Sequence, residues 1–80
     1  MTEEELIKLG FKKETEESDP PFYYYSLDLV DGISFITSAD DELTEGEWIA
    51  ELFNTNPAIK FKDAEELSKL INIINNNINN

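Results

Sequence analysis

Cysteine, histidine and arginine are all absent from this 80-residue chain. Without cysteine no disulfide can staple a domain of this size, and no thiolate can serve as a nucleophile. Without histidine no side chain is naturally poised to exchange a proton near neutral pH. The two absences together leave a structural zinc site without its usual ligands. Missing arginine removes the bidentate fork that recognises phosphate. The three glycines, Gly10, Gly32 and Gly46, are isolated, so there is no glycine-rich phosphate loop. Long apolar runs are lacking too, and no membrane span is expected. Met1-Thr2-Glu3-Glu4-Glu5 is the reverse of a cationic signal peptide, which makes a cytoplasmic location the expectation.

What the chain does have is acid. Eighteen Asp and Glu face six lysines (Lys8, Lys12, Lys13, Lys60, Lys62 and Lys69), for a formal charge of −12. Phosphate backbones and anionic membranes need cations to displace their counterions, so neither is expected as a direct ligand. Paired-carboxylate catalysis needs one acid desolvated in a cleft, which a chain this short rarely builds. The expectation is a non-enzymatic binding protein with no cofactor and no metal. Asp40, Asp41, Glu42 and Glu45 are hard oxygen donors, but they lack the alternating spacing of a calcium loop.

The pattern along the chain predicts a single α+β domain. Thr2 with Glu5 reads as a capping box, and Leu6, Ile7 and Leu9 give a short helix stopped by Gly10. Phe11 to Glu17 is polar enough for an exposed edge strand. Phe22 to Val30 and Ile33 to Ser38 are dense in aromatic and branched residues, and Asp31-Gly32 between them suggests a hairpin with a type I′ turn. A two-residue turn would pair Val30 with Ile33, Asp28 with Phe35 and Leu27 with Ile36. That register puts Tyr23, Tyr25, Leu27, Leu29 and Ile36 on the core face. Phe22, Tyr24, Val30, Ile33 and Phe35 would fall on the other. Glu47 to Phe53 reads as a central strand, and Ala58 to Lys62 as a short one. Asp63 then caps a C-terminal helix carried by Leu67, Leu70, Ile71, Ile74 and Ile78, frayed over Asn75–Asn80. The expected fold is an antiparallel meander of four to five strands. The short N-terminal helix and the longer C-terminal one pack on one sheet face.

Acid is concentrated in one segment. Residues 38 to 53 hold Asp40, Asp41, Glu42, Glu45, Glu47 and Glu51 without a lysine among them, whereas residues 54 to 80 are neutral. Such a segment can steer a basic partner or simply solvate a loop. Tyr24 and Phe35 on the second sheet face, with Trp48 nearby, are the residue types that anchor interfaces. These nine residues form the candidate partner-binding set.

Several stretches together resemble small acidic proteins of phages and mobile elements of AT-rich bacteria. They are Leu6 to Phe11, the aromatic strand Phe22-Tyr23-Tyr24-Tyr25, Glu47-Trp48, and Phe61-Lys62-Asp63 opening a Leu/Ile helix. The Asn-, Ile- and Lys-rich usage fits that source. The resemblance carries no catalytic residue. It implies an inhibitor of a nucleic-acid-acting host defence protein, a CRISPR or restriction nuclease, that works by nucleic-acid mimicry. An alternative is an accessory or structural domain whose acidity serves solubility, homodimeric through its free sheet face.

Overall fold

Thr2 begins the fold much as its surroundings predict. Its hydroxyl accepts the Glu5 N–H while the Glu5 carboxylate takes the N–H of Thr2, starting helix α1 (Glu3–Leu9). Gly10 ends the helix in a left-handed conformation, φ 104°, that a side chain would strain. The computed structural model describes residues 1–78. After α1 the chain runs through β1 (Lys12–Glu16), β2 (Phe22–Val30), β3 (Ile33–Thr37), β4 (Ala50–Leu52) and β5 (Lys60–Phe61), then into helix α2 (Ala64–Asn76). The five strands form one antiparallel sheet in chain order. The α+β meander is therefore as expected, with charged β1 at one edge and two-residue β5 at the other.

The β2–β3 register departs from expectation. Val30 does pair with Ile33, but Leu27 then faces Phe35, Ser26 faces Ile36 and Asp28 faces Ser34, because the ladder shifts between Asp28 and Val30. At the turn only Gly32 adopts positive φ, 91°, and Asp31 does not, so the turn is not type I′. A turn of other geometry fits the strand twist poorly, and an extra residue, Leu29, realigns the pair. A one-residue shift reverses every side chain on the affected strand. Phe35 therefore turns into the core at 1% exposure, while Ser34 and Ile36 go to the open face. The assignment of Tyr23, Tyr25, Leu27 and Leu29 on β2 stands.

One cluster unites both helices with the sheet. Leu6 of α1 and Leu67 and Ile71 of α2 pack with Phe11, Tyr25, Phe35 and Ala50, and Met1 and Trp48 complete it. Each fully buried Leu or Phe contributes about 2 kcal/mol by leaving water. The Glu47–Phe53 strand is shorter than expected because Ala50–Leu52 alone pairs with β3. Ahead of it, Glu45 (φ 55°) and Gly46 (φ 73°) make a tight turn that bridges Thr44 to Glu47. Trp48 instead exchanges backbone hydrogen bonds with Met1: its N–H donates to the Met1 carbonyl at 3.0 Å, and the Met1 ammonium donates to its carbonyl at 2.9 Å. That ammonium also donates to Glu47 Oε2 at 3.1 Å and to the Lys62 carbonyl at 3.3 Å. Asp63 caps α2 by accepting the Glu65 N–H. The helix takes in Asn75 and Asn76 of the expected frayed tail, and positions 79 and 80 lie outside the described residues.

Two outcomes follow for stability. Phe35→Ala should cost about 3–5 kcal/mol and leave little folded protein, whereas Tyr24→Ala on the open face should cost under about 1 kcal/mol; urea melts followed by circular dichroism compare them. Acetylating the Met1 amine removes charge-assisted hydrogen bonds and should lower stability by about 2 kcal/mol in the same assay.

Candidate functional site

The direction of each element decides where the acid lies. β1 and β3 end, and β2 and β4 begin, at one end of the sheet, since Glu16 pairs with Phe22 and Thr37 with Ala50. Phe61, opposite Ala50, closes β5 there, and α2 starts directly after it. α1 starts at the same end, because Glu3 accepts the Tyr25 hydroxyl and Met1 reaches Glu47.

Fourteen of the eighteen carboxylates therefore crowd this end. Glu3, Glu4 and Glu5 open α1, and Glu16, Glu17 and Asp19 surround the β1–β2 connection. Asp40, Asp41 and Glu42 form a 3₁₀ turn, with Glu45 and Glu47 after it, and Asp63, Glu65 and Glu66 open α2. Among the described residues only Glu47 and Glu65 have a cation within 4.0 Å, the Met1 ammonium and Lys69.

The nine candidate residues divide into four groups. Asp41, Glu42 and Glu45 are exposed and project from the acidic end. Asp40 and Glu47 sit beside them but carry structural duties. Asp40 Oδ1 accepts the Tyr23 N–H at 2.9 Å, where β2 extends past the end of β3, and Glu47 holds the Met1 ammonium. Glu51 and Tyr24 lie on the open sheet face, Glu51 opposite Ile36 and Lys60, and Tyr24 opposite Glu14. Phe35 and Trp48 are corrections. At 1% and 3% exposure both are core residues and offer no contact surface. Trp48 is drawn inward by the Met1 backbone pairing and by Tyr25, whose ring meets it edge-on at 5.2 Å.

Beneath the acid lies an aromatic support. Tyr23 and Tyr25 pack on Trp48 with centroids 5.8 and 5.2 Å away, and the Lys13 ammonium sits 4.0 Å over the Tyr23 ring. No family model, curated protein or solved structure matches the chain. Function has to be read from the surface itself. Among the described residues no three acidic side chains converge as a metal site would require, and no helix is long and apolar enough to cross a membrane.

The nine acids of α1, the β1–β2 connection and the start of α2 lie outside the candidate set. The signal for them was present. Each was legible as a helix start or a turn, and only the shared direction of the elements superposes them.

Burial, and then the hydrogen bond to Glu3, push the Tyr25 hydroxyl up to about 12 from its ordinary 10.0. The unfolded chain releases this proton first, so the stabilisation is whole below pH 10 and is lost as pH rises from 10 toward 12. Denaturant melts across that range should show the decline, and Tyr25→Phe should make it shallower.

Proposed function

We propose that this chain is a small acidic protein-binding module whose acidic end engages a basic protein. In the fuller form of the proposal it is a phage-type inhibitor of a nucleic-acid-acting host defence protein, a CRISPR or restriction nuclease, and its carboxylates occupy the surface that otherwise takes phosphates. The observation that carries this reading is the gathering of fourteen carboxylates from four separate segments at one end, two of them ion-paired. A predominantly negative surface over a rigid base, with Lys62 the cation beside Glu45 and Glu47, raises the encounter rate with an oppositely charged surface and suppresses wrong partners. Asp41, Glu42 and Glu45 are expendable for folding, since none accepts a structural hydrogen bond among the described residues.

A second reading is an accessory domain whose acid serves solubility and which pairs through its open sheet face. Partly exposed Tyr24 and Ile36, with Phe53 beside them, favour it.

Cleavage of target DNA by purified bacterial restriction and CRISPR nucleases separates the two. Inhibition is expected at about 50 mM salt and should weaken roughly tenfold or more by about 300 mM. The combined Asp41→Lys, Glu42→Lys and Glu45→Lys variant should lose it to a similar extent while melting like the parent. No inhibition of any nuclease tried, or full inhibition by the charge-reversed variant, would refute the electrostatic proposal.

A further inference from the structure

At the other end of the sheet the surface changes character. A cleft of about 550 Å³ opens between the β2–β3 turn, the residues that follow β4 and the later turns of α2. None of its lining residues is charged, in a chain where 30% of residues are. Ile33, Leu52, Leu70 and Ile74 supply apolar lining, and Phe53 stands at its edge with 59% of its surface exposed. Ile73, beside Ile74 on α2, is 60% exposed.

We infer that this end is a self-association surface, covered by the same end of a second copy, with Phe53 of each chain seated against the cleft of the other. The chain carries both an unburied aromatic side chain and an apolar recess next to it, so a two-fold axis between them satisfies both at once. Charge argues for the same occupant. Two chains of −12 can approach only where acid is sparse, and among the described residues only Asp28 and Asp31 lie near the cleft. Nine residues of β2 at about 3.3 Å each hold the acidic end roughly 30 Å away, several screening lengths of about 8 Å at physiological salt. A basic partner would find no carboxylate in the cleft to recognise. The contact is thus independent of the acidic end and leaves it free, so each dimer would present two acidic ends pointing apart.

The patch is small beside the roughly 800 Å² per partner of a standard interface, so the dimer should be weak, with a micromolar dissociation constant. Sedimentation velocity from about 10 µM to about 1 mM tests this range. A monomer–dimer equilibrium is expected, unchanged or tightened when salt is raised to about 1 M. Phe53→Asp should weaken it at least tenfold without altering the thermal melt, whereas Tyr24→Asp, on the open sheet face, should leave it intact. Four outcomes would overturn the inference: a monomer throughout the range, a dimer that salt dissolves, equal effects of the two substitutions, or a monomer whose cleft binds one equivalent of anilinonaphthalene sulfonate. None of these measurements involves a nuclease, so their failure is distinct from failure of the inhibitor reading.

Discussion

Self-repulsion at the acidic end is the term that the rest of this small fold has to offset. Carboxylates packed at adjacent element ends raise one another's energy, and the net stability of a domain this size is only a few kcal/mol. Much of that acid is given a donor. Glu3, Glu4 and Glu5 sit in the first turn of α1, where the helix dipole favours negative charge, and Glu5 caps the Thr2 N–H. Asp40 takes the Tyr23 N–H, Asp63 the Glu65 N–H, Glu3 the Tyr25 hydroxyl and Glu47 the Met1 ammonium. Backbone donors that would otherwise lie unpaired at the ends of helices and strands are satisfied by the charges that repel. The remaining acids, Asp41, Glu42 and Glu45 among them, have no such partner among the described residues and keep their full field.

Two surfaces of opposite character result from one topological fact. In a meander of an odd number of strands, here five, with a helix at each terminus, both helices start from the same end of the sheet. Helix starts favour acid and helix ends do not. The opposite end collects the tight turn at Gly32, the asparagines of α2 and the apolar cleft. A charged surface and an apolar one thus sit at opposite ends of β2.

Local grammar made most of the elements legible in the sequence. Thr2 with Glu5, Gly10 as a helix stop, Asp63 as a cap and the polar run Lys12–Glu16 as an edge strand each rest on contacts within a few residues, and each appears in the structure. Position across the sheet was harder. The side that Phe35 faces depends on one extra residue at Leu29, and that depends on the φ of Asp31, which an Asp-Gly pair leaves open. Trp48 was misplaced for a different reason. Its partner is the Met1 backbone, 47 residues away, and no periodicity in Glu47–Phe53 carries that information. The candidate acids Asp40–Glu47 fall at the end where the other element starts place their acids, and two of them, Asp40 and Glu47, also hold the fold together.

The division of labour within that acid segment bears on how such a surface can change. Asp40 and Glu47 are held by the Tyr23 N–H and the Met1 ammonium, so replacing either exposes a donor near the Tyr23–Tyr25–Trp48 cluster and loosens the base on which the field stands. Asp41 and Glu42 sit on the 3₁₀ turn and Glu45 on the Thr44–Glu47 turn with no such obligation, and their replacement alters the field alone. A surface whose anchoring and presenting charges are separate residues can vary its presenting charges without unfolding.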